Sequence, residues 1–178
     1  MNNFKLFRWK AIEVGVFSVV GLSALAYVMW HIVAILAFFN SPHPPSDTQL
    51  IATFKQHRDV FEKLKVMACT DNYQHKYINA SNDFPQPEGI SQARLKEYQH
   101  LLNTIQTPSL IKGKNCSIRF EVWSKGFAGD GEYKYYEFNP PHIQNKVSSL
   151  DNLSLKPEIS SYYRKLENEW YLSYTFWP

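Results

Sequence analysis

The hydrophobic pattern divides the chain into an apolar N-terminal block and a longer part of mixed polarity. The block runs from Val14 to Phe39, and His31 is its only strongly polar residue. As a helix with about 1.5 Å of rise per residue it would be roughly 39 Å long, enough to cross a hydrocarbon core of about 30 Å. The pattern therefore predicts a transmembrane anchor over residues 11–39, preceded by a flank at residues 1–10.

Basic residues in that flank predict the orientation of the anchor. Lys5, Arg8 and Lys10 precede the block, and positively charged flanks stay in the cytoplasm. We therefore expect a single-pass protein whose residues 46–178 are exported. A cleavable signal peptide is the alternative, because Ser23–Ala26 offer small residues for cleavage. The apolar run continues past them, which favours an uncleaved anchor.

A proline-rich spacer separates the anchor from the exported part. Residues 40–45 read NSPHPP, and proline lacks an amide donor and restricts the residue before it, so this segment should be short and stiff. Residues 46–178 have the length of one ordinary domain with a single core.

The first part of that domain has apolar residues at helical spacing. Ser46 and Gln49 have the spacing of a capping box, and apolar residues then recur at helical spacing up to about Met67. After a polar loop, Ser91 can cap a second helix, which should end near Thr107 because a proline follows.

The period then changes from helical to two, which indicates strands. Cys116, Ile118, Phe120 and Val122 alternate with polar residues, and an aromatic run follows after the glycine-rich segment GFAGDG. That segment lacks the helix and the Lys-Ser/Thr pair of a phosphate-binding loop, so it predicts a hairpin turn. A second alternating pair ends the chain. The fold class is therefore α+β, with two helices packed on an antiparallel sheet of about four strands.

Charge excludes one class of partner. The exported part carries 16 basic and 15 acidic residues with interspersed signs, whereas a nucleic-acid binder would show a basic stripe. We therefore expect no nucleic-acid partner.

Two cysteines, Cys69 and Cys116, both lie in the exported part, where an oxidising compartment would let them form a disulfide. The alternative is two small buried side chains that never meet. Neither cysteine has further ligands at metal spacing, so no metal site is predicted.

No local catalytic motif occurs in the chain. His57, His75, His100 and His142 are scattered candidates for a base, at positions that a solvated surface also accepts. We therefore predict that the protein is not an enzyme and has no cofactor and no small-molecule substrate.

Exposed aromatic residues are a more useful signal. If Ile118, Phe120 and Val122 face the core, alternation puts other rings on the outer side, where Trp, Tyr and Arg often carry interface energy. The glycine-rich hairpin adds an exposed loop. The predicted contacts with a protein partner are Arg119, Trp123, Asp130 and Tyr171; the alternative is that the rings pack under loops or against a second layer.

Three blocks resemble a family of small bacterial envelope proteins: PPSDTQLIATFKQHRDVFEKL, GISQARLKEYQHLL and NEWYLSYTFW. They span nearly the whole exported part. Some proteins of this appearance resemble immunity proteins encoded beside type VI secretion lipase effectors. This chain departs from the commoner members because it has a predicted membrane helix and two cysteines in place of a lipid-bearing cysteine.

The resemblance implies an anchored inhibitor of the bacterial inner membrane, with its domain in the periplasm. Such a protein would bind an incoming phospholipase effector and occlude its active site. The alternative function is a structural or assembly factor of the inner membrane without enzymatic activity, whose anchor pairs with other helices.

Overall fold

A computed structural model describes residues 27, 29, 43–73, 77–81, 87–127, 130–151, 153 and 161–177, with only the backbone at residues 127, 130 and 177. The chain divides into two compact units, Met1–His43 and Pro44–Pro178. In the first unit Tyr27 and Met29 are helical, and the rest of the predicted anchor lies outside the described residues. Within the described part of the chain, no helix combines the length and the hydropathy of a membrane span. The predicted division into flank, anchor, spacer and domain stays a prediction.

The second unit is an α+β domain with three helices on one face of a six-stranded antiparallel sheet. The fold class is confirmed, whereas the predicted numbers of two helices and about four strands are wrong. The strand order is β1-β2-β3-β4-β6-β5. In chain order the elements are α1 (Asp47–Gln56), α2 (Arg58–Thr70), β1 (Tyr77–Asn79), α3 (Gln92–Thr104), β2 (Ser109–Lys112), β3 (Ile118–Phe127), β4 (Asp130–Phe138), β5 (Ser161–Glu167) and β6 (Trp170–Trp177).

The predicted first helix is two helices joined at His57. The predicted capping box is present, because the Ser46 side chain accepts from the backbone N–H of Gln49 and the Gln49 side chain accepts from the Ser46 N–H. At His57 the backbone leaves the helical region (φ −113°, ψ 28°), so this residue ends α1 and begins α2. Phe54 and Phe61 lie on either side of this break, and both are in the core, with ring centroids 5.1 Å apart.

Aromatic rings form the centre of the core between the helices and the sheet. The Phe61 ring meets the Phe120 and Tyr136 rings edge-on, with centroid distances of 5.4 and 4.8 Å, an arrangement that aromatic pairs favour. Trp170 is 1% exposed and lies 5.3 Å from Phe54. The buried hydroxyl of Tyr136 donates to the carbonyl oxygen of Leu50 at 2.8 Å, which satisfies its polar group inside the core.

A buried charge cluster fastens the start of α1 to the sheet. Asp47 is fully buried, and its Oδ1 lies 3.0 Å from Nζ of Lys134 on β4. Arg164 on β5 and the backbone N–H of Leu150 each donate to Oδ2 of Asp47 at 2.7 Å, while Lys134 also donates to Asp151 at 3.2 Å. Burial by itself would raise the pKa of Asp47, but the hydrogen bonds from Leu150, Arg164 and Lys134 hold that pKa below its ordinary value.

A second polar cluster joins α2 to the sheet around Glu62. This carboxylate accepts from Nε1 of the buried Trp170 at 3.0 Å and also from Lys65 and Arg58. Burial opposes ionisation, but the hydrogen bonds from Lys65, Arg58 and Trp170 outweigh it and lower the pKa of Glu62 to about 2. Glu62 therefore stabilises the fold more in its ionised form than in its neutral form.

Replacement of Glu62 with glutamine is expected to lower the free energy of unfolding at pH 7 by about 1 kcal/mol, because the side chain is a third exposed and its ion pairs are partly screened. A depressed pKa contributes stability above the unfolded value of 4.5, and that contribution disappears as the pH falls towards 2. Urea unfolding followed by tryptophan fluorescence measures this effect: the difference in urea midpoint between the native chain and the variant should shrink below pH 4.5. Glu169→Gln, at an exposed turn position, is the control; a difference independent of pH would contradict the prediction.

Candidate functional site

The structure separates the four predicted contact residues. Arg119 and Tyr171 both lie beside Glu137 in the antiparallel register, on the face of the sheet opposite the helices. Trp123 lies on the helix face, and Asp130 lies at the far end of β4, where its side chain is outside the described residues. The four residues therefore do not form one surface.

A β-bulge explains the position of Trp123. The register of β3 and β4 shifts between Glu121 and Trp123, so Val122 is an extra residue and the alternation of faces inverts after it. Trp123 pairs with Lys134, stacks on Tyr174 with centroids 6.4 Å apart, and is 8% exposed. The expectation that Trp123 points away from the core is therefore wrong.

The face opposite the helices carries a layer of tyrosines around a buried carboxylate. Glu137 is 0% exposed; it accepts from the Ser173 hydroxyl at 2.5 Å, and its Oε2 lies 3.2 Å from Nε of Arg119. The Arg119 guanidinium also lies 5.8 Å from the centroid of the Tyr135 ring. These contacts fix the position of Arg119, whose side chain remains 32% exposed.

The tyrosines of this layer are buried as well. Tyr135, Tyr163 and Tyr171 are 5%, 4% and 7% exposed, and burial raises the pKa of Tyr135 and of Tyr163. Tyr171 does lie on the face predicted for it, but the expectation that its ring is exposed is wrong.

The outer half of the β3–β4 hairpin is accessible to solvent along the β3 edge. β2 pairs with β3 only between Ile118 and Glu121, so beyond that point β3 has a described neighbour, β4, on one side only. Ser124, Lys125 and Gly126 are all exposed there. The hairpin predicted from the glycine-rich segment is confirmed by the pairing of β3 with β4, although residues 128 and 129 between them lie outside the described residues. The hairpin presents an open strand edge at Ser124–Gly126.

A cleft of about 640 Å³ opens at the opposite end of β3, beside Arg119. One wall is the connection from β2 to β3, and the other is the segment that follows β4. The cleft is lined by Ile111, Gly113, Lys114, Asn115, Ser117, Arg119, Asn139, Pro140, Pro141 and His142.

The predicted disulfide is present and lies next to this cleft. Cys69 at the end of α2 is bonded to Cys116 in the connection from β2 to β3, with the two Cα atoms 5.3 Å apart. The bond ties α2 to one wall of the cleft. The same end of α2 is held to α3 by Arg94, which makes two hydrogen bonds to Asp71, at 2.8 and 3.2 Å.

The histidines that could have served as catalytic bases lie on different elements. His57 joins α1 to α2, His100 is exposed on α3, and His142 lines the cleft, whereas His75 is outside the described residues. In the described segments, no group of three or more His, Cys, Asp or Glu side chains is arranged to hold a metal ion. The predictions of no enzymatic activity and no cofactor stay predictions.

Sequence reasoning missed Lys134, Glu137 and Lys114. Alternation along β4 places Lys134 on the same face as the inward-facing Tyr136, which was a usable sign that this lysine needs a buried partner. Lys114 lies in an irregular connection, and no periodic signal marks it.

No protein-family model, no curated protein and no solved structure matches this chain.

Proposed function

We propose that this protein is a membrane-anchored periplasmic immunity protein that binds a type VI secreted phospholipase effector and occludes its active site. The exposed outer half of the β3–β4 hairpin is the observation that carries the proposal. The resemblance of the three sequence blocks supplies the class of partner.

The hairpin suits insertion into a partner for two physical reasons. The β3 edge at Ser124–Gly126 is exposed, and an open edge offers backbone N–H and C=O groups to a strand of another protein. Asp130, the predicted contact residue, begins β4 and pairs with Phe127 at the end of the hairpin. A paired edge and an inserted turn together would cover a cleft in the effector.

Burial changes which residues are expected to make contact. Trp123 and Tyr171 are buried, so they support the hairpin and the sheet rather than meet a partner directly. Asp130, at the hairpin end of β4, remains the proposed contact, whereas Arg119 lies at the other end of β3 and is not part of that surface. Attachment to the membrane would raise the effective concentration of the inhibitor at the lipid surface that the effector attacks.

The direct test measures inhibition. The full chain in detergent micelles is mixed with a purified lipase encoded by a neighbouring reading frame, and release of fatty acid from mixed phospholipid micelles is followed. We expect loss of activity at a one-to-one molar ratio. Full lipase activity in a molar excess of the chain would overturn the proposal.

Reversal of the charge at Lys125 is expected to weaken inhibition roughly fivefold, because exposed interface charges typically contribute up to about 1 kcal/mol. Lys96→Glu, an exposed position on α3, is the matched control and should inhibit like the native chain. Equal inhibition by both variants would exclude the β3 edge as the contact.

The alternative function, an assembly factor of the membrane, predicts a different result when the anchor is exchanged. If the chain acts through its anchor, replacement of residues 11–39 by an unrelated membrane helix should abolish function in cells. An immunity protein should tolerate that exchange, since it needs the anchor only as a tether.

A further inference from the structure

The cleft beside Arg119 combines cationic and neutral hydrogen-bonding side chains with an apolar part formed by Ile111, Pro140 and Pro141. Lys114, Arg119 and His142 lie in its lining, together with the amides of Asn115 and Asn139. No Asp or Glu belongs to the lining among the described residues. A cleft of about 640 Å³ is also within the range that small ligands and side chains occupy, roughly 300–1,000 Å³.

The walls of the cleft are held in place without a ligand. The side-chain amide of Asn139 donates to the carbonyl oxygen of Asn115 at 3.0 Å, which joins one wall to the other. Within the first wall, the Gly113 N–H donates to Ser117 at 2.7 Å and the Ser117 N–H donates to Lys114 at 3.0 Å. The Cys69–Cys116 disulfide fastens the same wall to α2, so binding would order few additional groups.

Arg119 and Lys114, the two basic side chains of the cleft, have different partners. Glu137 lies against Arg119 and partly neutralises it. Lys114 is exposed, and none of the ion pairs among the described residues involves it. The positive charge of Lys114 is therefore available to a ligand.

We infer that this cleft is an oxyanion site, which binds a carboxylate or phosphate group between Lys114 and Arg119. Cationic side chains form charge-assisted hydrogen bonds with both groups, and the two asparagines and Ser117 supply neutral donors around them. The inference does not depend on the proposed immunity function. The oxyanion has two possible sources, a small phosphate-bearing molecule or an acidic side chain of a protein.

The test titrates the full ¹⁵N-labelled chain in detergent micelles with two probes at constant ionic strength. Inorganic phosphate represents the small-molecule source, and a blocked triglutamate peptide represents the protein source, with triglutamine as the neutral control. We expect saturable changes in the NMR chemical shifts of the backbone amides of Asn115, Ser117 and His142. Tighter binding of phosphate assigns the first source, and tighter binding of triglutamate assigns the second.

A pair of matched variants separates the cleft from general surface charge. Lys114→Gln is expected to weaken binding of the preferred probe roughly two- to fivefold, as loss of one exposed charge should, while Lys96→Gln leaves the affinity unchanged. Both lysines are exposed, so neither change should unfold the domain. Absence of saturable shifts with both anions, or equal affinities of the Lys114→Gln variant and the native chain, would overturn the inference.

Discussion

Replacement of Asp47 with asparagine is expected to lower the free energy of unfolding at pH 7 by about 3 kcal/mol, since removal of one partner from a buried ion pair leaves the other charge uncompensated. Asp47 is 0% exposed and Lys134 is 1% exposed, so neither can turn to water. In the variant, Lys134 would retain Asp151, whose side chain is 32% exposed, but would lose the fully buried carboxylate of Asp47.

Urea unfolding of the full chain, followed by tryptophan fluorescence, measures this effect. Asp59→Asn is the matched control because Asp59 lies exposed in the first turn of α2, and its midpoint should stay close to that of the native chain. An Asp47→Asn variant with the native midpoint would mean that the cluster adds nothing to stability.

The same cluster of buried charges makes the stability of the domain depend on pH. The pKa of Asp47 is held below its ordinary value of 3.8 in the folded chain, so its contribution is complete above the unfolded pKa and decreases as the pH falls through the folded one. The difference between native chain and Asp47→Asn variant should therefore be constant from pH 7 to about pH 5 and shrink below pH 4. A difference that grew on acidification would contradict this sign.

Local signals in the sequence predicted the elements that they control directly. Ser46 and Ser91 cap helices as expected, because a side-chain oxygen that accepts a backbone N–H acts within one turn. The two hairpins β3–β4 and β5–β6 follow from alternation on both sides of turn residues. These features depend on neighbours in the chain and need no knowledge of the rest of the fold.

Elements that depend on the rest of the fold were missed. β1 and β2 have three and four residues, too few for alternation to be recognised, and they are strands because each pairs with a neighbour. The break at His57 has no proline or glycine as a signal. Phe54 and Phe61, on either side of the break, are seven residues apart and would share a face in an unbroken helix too, so the periodicity gave no sign of it.

The candidate site was predicted less well than the fold because it depends on one inserted residue. Val122 in the β3 bulge inverts the faces after it, which moves Trp123 into the core and leaves Arg119 on the other side. Alternation predicted the face of Tyr171 correctly, but it could not predict that a buried Glu137 would gather Arg119 and Ser173 around it. The cleft has no periodic signal, since its walls are irregular segments brought together across the sheet.

Removal of the disulfide is the second change with a large expected effect. The bond joins residues 47 positions apart, and loss of a cross-link closing a loop of this length is expected to lower the free energy of unfolding by about 4 kcal/mol, because the unfolded chain gains conformational freedom. The Cys69→Ser/Cys116→Ser variant should therefore unfold at a much lower urea concentration than the oxidised native chain. The native chain treated with dithiothreitol is the control and should match the variant.

The disulfide should also affect the cleft, because Asn115 and Cys116 are both in the left-handed region, with φ values of 53° and 56°. That conformation costs a non-glycine residue roughly 1–2 kcal/mol, so a free connection would relax towards other conformations and move Lys114 away from Arg119. The doubly substituted chain should then bind the preferred oxyanion probe more weakly than the native chain, under conditions where both are folded. If the variant were as stable as the native chain, the expected effect of the cross-link would be contradicted. If the variant bound the probe as tightly as the native chain, hydrogen bonds alone would hold the cleft wall.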